Sequence, residues 1–153
     1  MNVKMMGKFL SQIIAIEAVF MLPALCISLY RSEYAAVEGF LYTLVLMVVL
    51  SGALYLGCRK AGNIFGAREG LVCVGISWLV LSVLGCLPFV ISGNIPKFID
   101  AFFETVSGFT TTGASVVPSV EALDWGILYW RSFSHWLGGM GVLVFLLAFC
   151  PRR

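Results

Sequence analysis

The sequence predicts an all-α membrane protein: an N-terminal transmembrane hairpin, then a span, a short re-entrant helix, a loop and a further span. Three observations carry that expectation. Of the 153 residues, 60% are hydrophobic and only 12% charged, where a soluble domain carries about 25% charged residues. The charges cluster, which leaves four apolar stretches of the roughly 20 residues that a bilayer core of about 30 Å requires. Most of the basic residues also fall on one side if all four stretches cross.

The four stretches are Phe9–Tyr30, Val37–Cys58, Leu71–Ser92 and Gly126–Cys150. Residues 1–60 read as the hairpin and 61–70 as a cytoplasmic linker. Residues 71–153 read as one unit, with spans at 71–92 and 126–150. Lys4 and Lys8 precede an apolar run, as in a secretory signal, but the run is too long and Arg31-Ser32-Glu33 offers no small-residue cleavage site. Pro23 should kink the first span, because it removes one backbone donor. Glu17 lies near the middle of that span, where a carboxylate is a functional-site hypothesis by default; a helix–helix hydrogen bond or an interfacial position is the expectation. The five cysteines, Cys26, Cys58, Cys73, Cys86 and Cys150, form no CxxC pair and are expected to be small buried hydrophobes.

Lys4, Lys8, Arg59, Lys60, Arg68, Arg152 and Arg153 are seven of the ten basic residues, and all fall on one side of a four-span arrangement. The positive-inside rule then puts both termini in the cytoplasm and Ser92–Trp125 outside.

Ser92-Gly93-Asn94-Ile95-Pro96 marks a loop. After it, residues 98–109 read FIDAFFETVSGF, too short to cross a bilayer and suited to a re-entrant helix. Thr110-Thr111-Thr112-Gly113-Ala114-Ser115 follows with neither helical nor strand period. Irregular backbone at membrane depth is tolerated only where protein buries it or water lines it. A pore for a dehydrated cation uses such backbone, because an extended loop presents carbonyl oxygens along an axis. Gly113 suits that loop by tolerating positive φ. A short helix aiming its negative C-terminal end at the axis favours cations. Alone, TTTGAS is also compatible with an ordinary extracellular turn.

Glu104, Arg131 and His135 are candidate supports for this loop. Arg131 and His135 stand one helical turn apart, and either can reach Glu104 or loop carbonyls. The alternative makes them interfacial anchors with Trp125, Tyr129, Trp130 and Trp136. For His135 a structural role is expected, since no His, Cys or carboxylate accompanies it at metal-ligand spacing. Ser134, Gly138, Gly139 and Gly141 place small residues three and four apart, a face on which membrane helices approach closely. No nucleophile–base pair, phosphate loop or basic nucleic-acid patch is present, so neither an enzyme nor a nucleic-acid binder is expected.

The segments FFETVSGFTTTGAS (102–115) and YWRSFSHWLGGMGVLVF (129–145) resemble the first pore unit of the Trk/Ktr/HKT superfamily of potassium transporters, most closely the bacterial Trk-type membrane subunit. The resemblance is specific over 102–115 and 129–144, and generic before residue 71. It implies four span–pore helix–span repeats in one polypeptide around a pseudo-fourfold pore, with an N-terminal hairpin that Met1–Cys58 fits. It implies that 98–109 is the pore helix and 110–115 the filter. Backbone carbonyls of Thr111 and Thr112 would bind K⁺, with Gly113 as the filter glycine and Thr110 and Ala114 flanking it. Ser115 stands where a potassium channel's second filter glycine would be. The resemblance also implies K⁺ as the transported ion with no cofactor, a bacterial plasma (inner) membrane, and a cytosolic nucleotide-binding regulatory partner. One filter loop is a quarter of a pore, so the chain is expected to be part of a longer family member, completed by further repeats. Other copies of itself in a homotetrameric channel, or a non-transporting scaffold in the same bilayer, are the alternatives.

Overall fold

A computed structural model describes residues 3–59 and 67–149, and all the regular structure among them is helical. The expected linker residues 61–66 and the end at 150–153 lie outside the described residues. Six α-helices follow in order: α1 (Val3–Tyr30), α2 (Tyr34–Cys58), α3 (Ala67–Gly85), α4 (Leu87–Ile91), α5 (Phe98–Phe109) and α6 (Trp125–Phe149). A single 3-10 turn, Val120–Ala122, precedes α6.

Helices α1 and α2 form an antiparallel pair. Ile14, Ala18, Met21 and Ala24 on α1 and Ala36, Phe40, Leu44 and Met47 on α2 belong to one buried core. The turn between them closes as a Schellman motif, in which Ser32 N–H donates to Leu29 O at 3.2 Å and Glu33 N–H to Ser28 O at 3.0 Å. Ser32 accordingly takes φ +58°. Helix α1 continues through Pro23 to Tyr30.

The outer faces are apolar. Leu41, Val45, Val48, Val49 and Leu56 of α2 are all more than half exposed, a continuous surface that water would not favour and lipid would. Three stretches, Lys4–Tyr30, Tyr34–Cys58 and Gly70–Ile91, are long and apolar enough to cross a membrane. Helix α6, at 25 residues, also has the length for it.

The stretch 71–92 consists of two helices in succession. Helix α3 stops at Gly85 and the short α4 begins at Leu87. Pro88 is the cause: it has no N–H for the carbonyl of Leu84 and its ring crowds that position. Cys86 fills part of the gap, its N–H donating to Ser82 O at 3.2 Å and its thiol to Val83 O at 3.1 Å. The expectation for the cysteines holds for Cys73 and Cys86, which are buried, whereas Cys26 is exposed on the apolar surface.

The end of the bundle holding the α1–α2 turn is tied by polar side chains. Glu33 accepts hydrogen bonds from Trp125 N–H at 2.8 Å and Gly126 N–H at 3.2 Å, so it satisfies two orphan donors at the N-terminus of α6. Asn94 and Asp124 bond reciprocally, at 2.8 and 3.1 Å. The Arg31 guanidinium lies 4.5 Å from the Trp125 ring centroid. These ties hold α1, the 92–97 loop and α6 in register around α5.

Candidate functional site

Helix α5 is amphipathic, and its buried positions Ala101, Glu104, Thr105, Ser107, Gly108 and Phe109 face the surrounding helices. It ends in a second Schellman motif. Thr111 N–H donates to Gly108 O at 2.9 Å and Thr112 N–H to Ser107 O at 3.0 Å. The residue that turns the chain is Thr111, at φ +57°. Glycine is usual at this position; a β-branched residue there is a genuine conformational outlier, with a strain of order 1–3 kcal/mol. Gly113 follows at φ +74°, so the chain enters the left-handed region twice within three residues.

From Thr112 to Val117 the loop has no regular secondary structure, and it is fixed from behind. Ser107 Oγ donates to Ala114 O at 2.6 Å. The Glu104 carboxylate accepts Ser115 Oγ at 3.0 and 3.1 Å, Val116 N–H at 3.0 Å, and the Arg131 Nε–H. Thr110 Oγ1 donates to Val106 O, which leaves Thr112 Oγ1 as the donor in the 2.8 Å Thr110–Thr112 contact. Every loop residue from Thr110 to Val116 is nevertheless exposed. One side of the loop is clamped to α5 and α6, and the other faces open space.

Helix α6 reaches α5 through missing side chains. A Cβ on Gly138 would run into the Phe109 backbone, and one on Gly108 would meet the Ser134 hydroxyl. Trp78 packs edge-on against Phe109, ring centroids 5.9 Å apart. Trp130, which the sequence offered as an interfacial anchor, is instead fully buried. Its indole N–H donates to Gly85 O at 2.9 Å and so satisfies the last carbonyl of α3. Trp125 and Trp136 remain more than half exposed.

Of the three candidate supports, Glu104 and Arg131 meet. The Glu104 side chain is 0% exposed and that of Arg131 14%. His135 has no hydrogen bond to Glu104; its Nδ1 bonds the backbone carbonyl of Arg131, one turn back on its own helix, at 2.9 Å. Among the described residues no group of three or more His, Cys, Asp or Glu could hold a metal ion. Ser107 and Ser115 were missed as anchors. Ser115 had drawn notice only as a non-glycine, and nothing in the local pattern marked Ser107.

The TrkH family, described as a cation transport protein, matches residues 37–152. The Trk system potassium uptake protein TrkH of Halomonas elongata is 33% identical over 99% of this chain and 31% of its own length. TrkG of Escherichia coli is 35% identical over 86% of this chain and 27% of its own length. The crystal structure of the potassium transporter TrkH from Vibrio parahaemolyticus superposes with a TM-score of 0.90 at 32% identity, covering 99% of this chain and 32% of that one. The chain thus spans about a third of the length of the relatives it matches. With the family match covering most of its residues, this all-helical membrane chain belongs to the TrkH family of cation transport proteins.

Proposed function

We propose that this chain supplies one of four pore repeats of a potassium uptake system, with residues 98–109 as the pore helix and Thr110–Ala114 as its quarter of the selectivity filter. The observation that carries the reading is the 110–116 loop: anchored on one side by Glu104, Ser107 and Arg131, open on the other, and preceded by a twelve-residue helix. Backbone carbonyls of Thr111 and Thr112 would replace water around K⁺, as in other backbone-lined filters. The negative end of α5 adds a field that favours a cation. Glu104 and Arg131 act behind the filter, holding the loop's return strand at fixed depth. The weighting of basic residues puts both termini in the cytoplasm and the filter's entrance outside. Facing carbonyls must come from three further repeats, since a single loop offers ligands on one side only.

A growth experiment tests the assignment. In an Escherichia coli strain without potassium uptake systems, this chain alone should not restore growth at low potassium. A chimera in which it replaces the matching N-terminal part of the Escherichia coli TrkH relative should restore it. Rescue by the chain alone would overturn the one-of-four reading in favour of self-assembly.

A further inference from the structure

Glu17 is 3% exposed, and neither of its carboxylate oxygens has a hydrogen-bond partner. The expected helix–helix hydrogen bond is therefore not made. Its surroundings are located through Gly85. A Cβ built there would stand 3.0 Å from Glu17 Oε1, 3.2 Å from Thr105 Cγ2 and 3.4 Å from Phe109 Cε2. Glu17 thus lies where α1 meets the last residue of α3 and the last two turns of α5.

That place is hostile to an anion in three ways. A bare carboxylate removed from water without a partner costs several kcal/mol. The C-terminal ends of both α3 and α5 carry negative partial charge. Among the described residues no cation is seen to offset it: Arg131 is committed to Glu104 on a different face of α5, and Cys86, the titratable group beside Gly85, adds no positive charge. A metal cation does not fit either. It would need several oxygen ligands, whereas the atoms that share the space at Gly85 with Glu17 Oε1 are a methyl and a ring carbon, and Thr105 Oγ1 already donates to Ala101 O at 2.8 Å.

We propose that Glu17 is an intramembrane proton-binding site, whose carboxyl holds a proton as its ligand and, as a neutral acid, packs α1 against the C-terminal ends of α3 and α5. The proton comes from water when the bundle assembles, and no other bond changes. Thr105 and Phe109, which share the space at Gly85 with Glu17, belong to the helix that carries the 110–116 loop.

Infrared spectroscopy of the purified protein in lipid bilayers tests this without depending on potassium transport, so it stands or falls separately from the transport reading. At neutral pH the wild type should show a protonated-carboxyl C=O band. Glutamate labelled with ¹³C at the side-chain carboxyl should shift that band, and Glu17→Gln, which keeps the size and a donor, should abolish it. If Glu17→Gln does not assemble, the label in wild type still decides whether a glutamate is neutral, because Glu104, the other fully buried glutamate among the described residues, is ion-paired. A wild type without the band, or a band that survives Glu17→Gln, would each overturn the proposal.

Discussion

Arg131→Leu is expected to lower the stability of the bundle by about 3–5 kcal/mol, the typical cost of leaving a buried charge without its partner. Glu104 is fully enclosed, and the loss of the Arg131 Nε–H leaves only Ser115 Oγ and Val116 N–H on its carboxylate. Those two bonds belong to the loop, so relief of the uncompensated charge would come by pulling the loop open or by unfolding the end of α5. Arg131→Lys should be intermediate, since an ammonium retains the charge without the guanidinium's fixed geometry. Glu104→Gln should be milder than Arg131→Leu, because the amide oxygen still accepts from the loop and Arg131, partly exposed, can turn to water. The double variant Arg131→Leu with Glu104→Gln should recover part of the loss, as expected for coupled neighbours. Thermal unfolding in bilayer discs checks the order; equal losses in all four variants would show that the pair does not act as a unit.

Gly138→Val should be at least as damaging to transport, whereas Gly139→Ala, one residue along, should be close to neutral. At Gly138 any Cβ meets Phe109 backbone atoms, and backbone cannot step aside as a side chain can. Overpacking of this kind costs about 1–3 kcal/mol and occasionally more. Here its direction matters more than its size, because the atom struck is the carbonyl end of α5, immediately before the loop. A Cβ on Gly139 finds only Thr111 Cγ2, at 3.8 Å, an ordinary contact, and alanine gains up to about 1 kcal/mol of helix propensity over glycine. Potassium uptake by the two variants, compared at matched protein level in the chimera, separates a specific helix crossing from general glycine flexibility. Similar uptake by both would refute the crossing argument.

The fold class was legible in the sequence because it depends on bulk quantities: few charges, long apolar runs, and one apolar segment too short to span. Gly113 was singled out for its tolerance of positive φ and takes φ +74°. Thr111 at φ +57° could not have been foreseen, since a β-branched residue is the last choice for that conformation. The break at Cys86 has a cause visible in the sequence, Pro88, although apolar composition continues to Ile91. Side-chain anchoring was the least legible part. Ser107 reaches Ala114, and Glu104 reaches Ser115 and Val116, only because the Schellman turn folds the chain back along α5. Glu33 caps a helix 92 residues away, a contact set by tertiary packing. Glu17 was visible as an oddity, but no periodicity states which helix ends it faces.

The central claim is that the backbone of 111–113 sets selectivity, and ion discrimination in Gly113→Ser and Thr112→Ser tests it most directly. A Cβ at Gly113 would meet nothing within 4 Å, so the cost of Gly113→Ser is purely conformational, roughly 1–2 kcal/mol for forcing a left-handed φ. That strain is relieved by rotating a peptide plane, which moves a carbonyl off the axis. Thr112→Ser retains the hydroxyl that bonds Thr110 and leaves the backbone unchanged. With K⁺ and Na⁺ fluxes measured in the chimera at matched protein level, the account predicts that Gly113→Ser loses discrimination against Na⁺ while Thr112→Ser stays near wild type. Wild-type discrimination in Gly113→Ser together with its loss in Thr112→Ser would mean that hydroxyls, not glycine-dependent carbonyls, set selectivity, and would contradict it.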